Sequence, residues 1–289
     1  MSWVLYALIS AFGIASADAV TKHSFAKTDN MSVMFVRLLA VLPFTLFFLP
    51  WVEVPRRLEP GFYLCVGLLF PLDLFAYYLY MKAIKSAPLS LTAPYLSLTP
   101  SFLLLTGFLM LGERPGPIAG IGVVVTTLGA FMLHISATSG GASDTTDEVK
   151  RKGRRTMITV AFLFSITSAM GKIAVSYTNP LFFGIAYVWL LTGVMALVVF
   201  FDKRDLSPFL AAPKSVGLLG LFGAMEVIGH FMAIVSTQVS FMIAVKRTSL
   251  LFAIGYGAFL FREEDFRKRL FAGGVMLAGV YLVTWGSGS

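Results

Sequence analysis

Residues 239–260 read VSFMIAVKRTSLLFAIGYGAFL, apolar almost throughout, with Lys246 and Arg247 side by side about eight residues in. A helix needs roughly 20 mostly apolar residues to cross a bilayer, so the run reads as a span. Eight residues at roughly 1.5 Å each place the two cations about 12 Å deep, near the midplane. On insertion scales each charge there costs roughly 2.5–3.5 kcal/mol. Neighbouring helical residues diverge by about 100°, so both side chains can converge on one internal cavity without either facing lipid. Arginine offers a planar fork that fits a carboxylate or phosphate, and lysine a point charge. The pair reads as an anion site, and the alternative is internal pairing with Glu226 or Asp73.

Working outward, nine further stretches have the same character, near residues 3–24, 31–51, 61–83, 89–111, 117–135, 157–176, 181–201, 215–236 and 270–285. The composition agrees. Of 289 residues, 57 % are apolar or aromatic and 13 % charged, and the mean hydropathy is +0.81. A soluble domain carries about twice that charge and could not hide so much apolar surface in one core. That excludes a soluble enzyme. The first span lacks a basic leader and is too long for a signal peptide, so it counts as structure. Cys65, the single cysteine, sits in an apolar run, which leaves no disulfide and no cysteine metal cluster. No metal-ligand spacing, phosphate-binding glycine loop or nucleophile–base pair appears, so no catalytic residue, metal site or cofactor is expected.

The halves are repeats. At a constant offset of 150 residues, Lys22 meets Lys172, Glu113 meets Glu263, Gly67-Leu68-Leu69 meets Gly217-Leu218-Leu219, and Ser86 and Ser90 meet Ser236 and Ser240. The charged coincidences carry the weight in so apolar a chain. The fold expected is all-α and integral to the membrane: ten transmembrane helices as two five-helix repeats, 1–135 and 157–289, joined by a polar linker loop, 136–156. An odd number of spans per repeat inverts the second in the bilayer, an arrangement typical of secondary transporters with a site between the repeats.

Gly112-Glu113-Arg114-Pro115 after the fourth span, Leu96-Ser97-Leu98-Thr99-Pro100 within it, and Val245-Lys246-Arg247-Thr248-Ser249 with Phe261-Arg262-Glu263 in the second half resemble the EamA branch of the drug/metabolite transporter superfamily. The resemblance covers essentially the whole chain and implies a ten-helix carrier of small metabolites, often an exporter. A similar Lys-Arg pair occurs in phosphate-handling members. Two departures stand out: Phe12-Gly13 replaces the Trp-Gly common in the first span, and Leu250 is the counterpart of Pro100, so the second repeat is expected to lack that kink.

Basic loops mark the cytoplasmic side. With ten spans, the side bearing both termini holds only Arg56, Arg57 and Arg114, whereas the other holds fifteen basic residues, among them Lys150, Arg151, Lys152, Arg154 and Arg155. The charge balance thus places loop 150–155 in the cytoplasm of an inner-membrane, multi-pass protein with both termini outside, although many relatives have them inside. The net charge of +8 borders an anionic leaflet, and membrane lipids rather than nucleic acid are the expected partners.

Other ionisable residues at membrane depth are candidates by default. Glu226 and His230 share a face of the eighth span at i, i+4 and could relay a proton, or hold a static pair with the ninth span. Asp18, too short to snorkel, belongs with them. Asp73 and Arg37 complete the set, each able to neutralise the other, while Lys22 and Lys172 can snorkel from span ends. Pro71, Pro94 and Pro100 free backbone carbonyls, which a bilayer tolerates only inside protein or at a wet cavity. The fourth span is therefore expected to line the path with Tyr95 and Thr99, and Tyr77, Tyr78, Tyr187 and Trp189 are candidate wall residues. Gly116, Gly120, Gly217, Gly220 and Gly223 read as close helix contacts, and Glu113 and Glu263 as caps or gate pairs.

Together these point to alternating-access transport of a small anionic or zwitterionic metabolite, coupled to protons or exchange. Lys246, Arg247, Tyr95, Thr99, Tyr78 and Trp189 would bind the cargo, and Glu226, His230, Asp18 and Asp73 would couple or gate. Two alternatives are export of amino acids or amphipathic drugs with the charges structural, and, from another class, a lipid-linked membrane enzyme or assembly factor. A monomer suffices, and a dimer is compatible.

Overall fold

In a computed structural model, described over residues 2–86, 95–138, 147–259 and 266–287, the apolar runs form α-helices, and no strand occurs among the described residues. In chain order they are α1 (Ser2–Phe25), α2 (Asn30–Leu46), α3 (Pro60–Ser86), α4 (Thr99–Leu111), α5 (Pro117–Thr138), α6 (Asp147–Ser176), α7 (Pro180–Phe201), α8 (Pro213–Ile234), α9 (Val239–Lys246), α10 (Ser249–Phe259) and α11 (Phe266–Gly286), with a one-turn helix at Ser207–Leu210. Among the described residues, six helical stretches are long and apolar enough to cross a membrane, and four shorter apolar ones accompany them. Caps follow local chemistry. The Asp29 carboxylate accepts from the N–H groups of Met31 and Ser32 to start α2, and Asn179 accepts from Phe182 N–H ahead of α7. Gly112, at φ 66°, ends α4 in the left-handed conformation that suits glycine.

The segment 136–156 is not a loop at its ends. Helix α5 runs to Thr138 and α6 begins at Asp147, so the basic run 150–155 is a helical extension of the sixth span. Pro94, Arg262 and Glu263 lie outside the described residues. Pro71 sits within a continuous α3, so it makes no break there.

Helices before residue 138 pack mainly on helices after 147: α5 on α11, α1 on α8, α3 on α6, and α2 on α8. Glycines set the distances. A methyl group at Gly129 would come within 2.4 Å of Met276 N, and one at Gly279 within 2.3 Å of Thr126 N, so α5 and α11 touch through backbone. Gly220 and Gly223 are pressed against Ala40 and Val41 of α2, whereas Gly116, Gly120 and Gly217 face open space, contrary to expectation. On α5 the close contacts lie further along, at Gly122 and Gly129. Cys65 is buried, its thiol donating to the Met170 carbonyl.

The apolar stretch read as the ninth span is broken, which corrects the expectation drawn from Leu250. Helix α9 stops at Lys246, Arg247 and Thr248 form a turn, and α10 starts at Ser249. The fourth span breaks at the corresponding place, with Ser97 and Leu98 in a turn before α4. No proline is needed in the second break. Thr248 Oγ1 donates to the Val245 carbonyl at 2.7 Å, and the N–H groups of Thr248, Leu250 and Leu251 bond three residues back instead of four.

Candidate functional site

The two breaks meet. Pro100 has no N–H to give the Leu96 carbonyl four residues earlier. That carbonyl instead accepts from Thr99 Oγ1 at 2.7 Å and from the Arg247 guanidinium at 3.1 Å. Among the described residues Arg247 has no acid partner, and its Nε is buried without a hydrogen bond. Thr99, expected on the cargo wall, is itself buried and occupied in closing the fourth-span break.

Lys246 turns another way. Its ammonium lies 3.2 Å from Glu226 Oε1 and 3.2 Å from His230 Nδ1. A cationic lysine can only donate, so His230 Nδ1 accepts and the ring proton sits on Nε2. The i, i+4 spacing of Glu226 and His230 on α8 thus converges on one lysine from α9. Backbone contact with α1 fixes the α8 end of this triad. A methyl at Gly13 would lie 2.7 Å from Glu226 N, and Ser10 Oγ donates to the Glu226 carbonyl at 2.9 Å. Phe12 packs edge-on against Phe222 and Phe252, which is how this chain fills the place of the tryptophan usual in the resembled family.

One turn further along α1, Asp18 pairs with Arg37 of α2 at 2.6 Å, not with Lys22 four residues away. The Asp18 side chain is 59 % exposed although it sits far along a spanning helix, in electrostatic reach of Glu226 and Lys246. Its charged neighbours come from three other helices: Arg37 of α2, Glu226 of α8 and Lys246 of α9. Asp73 of α3 has a different setting. Arg37 is taken by Asp18, and Asp73 accepts from the Tyr187 hydroxyl of α7 at 2.6 Å, with the Thr167 hydroxyl alongside.

The aromatic candidates separate. Tyr187 reaches Asp73, but Trp189, two residues on and so about 200° round α7, points away and donates to Thr45 Oγ1 at 3.1 Å. Tyr78 is exposed, about 140° round α3 from Asp73, whereas Tyr77 and Tyr80 share the face of Asp73. Tyr95 packs edge-on against Phe131 of α5. Tyr187, Tyr77 and Tyr80 are thus the rings at the charged cluster; the i, i+4, i+7 spacing from Asp73 to Tyr77 and Tyr80 was the signal for two of them.

Just past the C-terminus of α4, Glu113 accepts from Val239 N–H with both oxygens, at 2.9 and 3.1 Å, and pairs with Lys172 Nζ at 2.7 Å. Lys172 also donates to the Thr237 carbonyl, so it is tied to the bundle and does not snorkel. Among the described residues no group of acids, histidines and cysteines could hold a metal ion. An open pocket of about 570 Å³, lined by His23, Lys27, Asp29 and Arg204 among others, lies at a loop boundary on other residues than the cluster.

No curated protein matches the chain. A solved structure, described only as "Crystal structure of protein", superposes with a TM-score of 0.78 over 98 % of both chains at 16 % identity, a likeness of fold. The model of the EamA-like transporter family matches residues 1–135 and 152–285, nearly the whole chain in two segments. With its apolar helices and the charges they bury, the chain is a multi-pass membrane protein of the drug/metabolite transporter type and belongs to the EamA-like transporter family.

Proposed function

We propose that the chain is a secondary transporter of ten spans, two inverted five-helix repeats that alternate access to a central cavity, and that Arg247 engages an anionic group of the cargo. The observation that carries this reading is the state of Arg247: a guanidinium at the broken ninth span with no acid partner, a buried and unbonded Nε, and only a backbone carbonyl for company. Helices α4 and α10 both begin at breaks, so two positive helix ends add to its field, as in transporters whose broken helices hold substrate anions. The 150-residue offset, the corresponding breaks and the two matched segments support the duplication.

Lys246 is committed to Glu226 and His230, so it serves coupling more readily than binding. Protonating Glu226 would release Lys246 toward the cargo, linking a proton to the occupied state. The mutual neutralisation of Asp18 with Arg37, and of Glu226 with Lys246, favours a structural role for those four charges and makes export of less charged cargo the second reading. The charge balance of the loops favours the basic run in the cytoplasm of an inner-membrane protein.

The test is a melting-shift panel of carboxylated, phosphorylated and neutral amphiphilic metabolites on wild type, Arg247→Gln and Lys246→Gln. A ligand that binds only the folded state raises the midpoint with the logarithm of its concentration over Kd. In Arg247→Gln the apparent Kd for anions should rise by about 10- to 100-fold and the shifts shrink accordingly, the loss of one charge-assisted bond. Shifts confined to neutral amphiphiles and equal in all three proteins would discard the anion site.

A further inference from the structure

Among the described charges at this depth, Asp18 with Arg37 and Glu226 with Lys246 neutralise one another. Two are left over. Arg247 lacks an acid, and Asp73 lacks a cation, its partners being hydroxyl groups. A carboxylate removed from bulk water without a counter-charge is costly unless something completes its site. The surroundings of Asp73 indicate what. Tyr187, whose hydroxyl it accepts, stacks on Phe183 at 5.4 Å and meets Phe70 edge-on at 6.4 Å, and Tyr77 lies on the same face of α3 and meets Phe164 at 5.5 Å. One acid among aromatic rings is the chemistry that holds an organic cation. From Asp73 the face continues through Tyr77 to Tyr80, which packs in one cluster with Leu96, whose carbonyl holds Arg247. The unmatched acid thus lies about 10 Å, two turns of α3, from Tyr80, and Tyr80 packs beside the segment that holds the unmatched base.

We propose that Asp73 and its rings form a cation pole opposite Arg247, and that the cargo is an extended zwitterion, with an ammonium-type group and an anionic oxygen group about 10 Å apart. This rests on the transport reading and deepens it. An α-amino acid is too short to reach both poles.

The spacing can be measured with ω-amino acids of increasing chain length as rulers, applied to the purified full chain, with octanoate and octylamine as single-pole controls. Binding should peak near 8-aminooctanoate, matching about 10 Å, and exceed octanoate by roughly tenfold. Asp73→Asn should erase that advantage and leave octanoate unchanged, while Asp73→Glu should move the optimum to a shorter ruler. Tyr187→Phe, which keeps the carboxylate, should weaken the optimum ruler only, and it serves if the Asp73 variants do not fold. A flat length profile, or an advantage that survives Asp73→Asn, overturns the cation pole. If octanoate is then still lost in Arg247→Gln, the anion site stands alone. If octanoate binds Arg247→Gln as it binds wild type, both readings fall.

Discussion

Lys246 and Arg247 are neighbours in sequence with opposite circumstances: one has an acid and an imidazole at 3.2 Å, the other a lone carbonyl. Removing one member of a buried pair strands the other, which is worse than removing both. Glu226→Gln and Lys246→Gln should each lower stability by about 1–3 kcal/mol, less than a fully buried pair because both side chains are partly exposed, and the double variant should lose less than the sum. Chemical denaturation in detergent through the full double-mutant cycle reads this directly, and strict additivity would mean that the pair carries no coupling. The spacing of Glu226 and His230 was legible in the sequence. Which cation they would meet was not, because Lys246, Arg247 and Arg37 were all at similar depth and periodicity reports a face, not a partner.

At the scale of elements, the breaks in the fourth and ninth spans show why a proline rule misled. Pro100 explains the first break, but the second is made by a threonine hydroxyl and by the pull of Arg247 toward the fourth span. Glu113 is likewise an element-scale device, since it caps α9 from the opposite half of the chain and anchors Lys172. Glu113→Ala should cost about 2 kcal/mol, the sum of a lost cap and a charge-assisted bond. Proteolysis near residue 239 should accelerate with it, whereas an unchanged cleavage rate would show that α9 needs no such cap. Packing gives a second prediction. Gly279→Ala must push α11 from α5 and should destabilise by about 1–3 kcal/mol, while Gly116→Ala, in open space, should be neutral in the same thermal assay.

For the whole molecule, the connections that hold it together run between the first and second halves, so neither half is complete alone. Orientation belongs to this scale. In a Cys65→Ala background, a cysteine at Arg151 should react with a membrane-impermeant maleimide only from the cytoplasmic side, and tags at both termini only from the other. Labelling of Arg151→Cys from outside intact cells would reverse the topology.

The sequence by itself determined a multi-pass membrane protein of the EamA type, which charges fall within its apolar runs and the 150-residue offset at which residues recur, because hydropathy and residue identity along one chain suffice for these. Only the tertiary structure decided that Asp18 takes Arg37, that Tyr187 rather than Trp189 serves Asp73, and that Arg247 closes on Leu96, 151 positions away. Those choices are made between helices, where which groups come within about 3 Å is set by packing distance and rotation about each axis rather than by spacing along it.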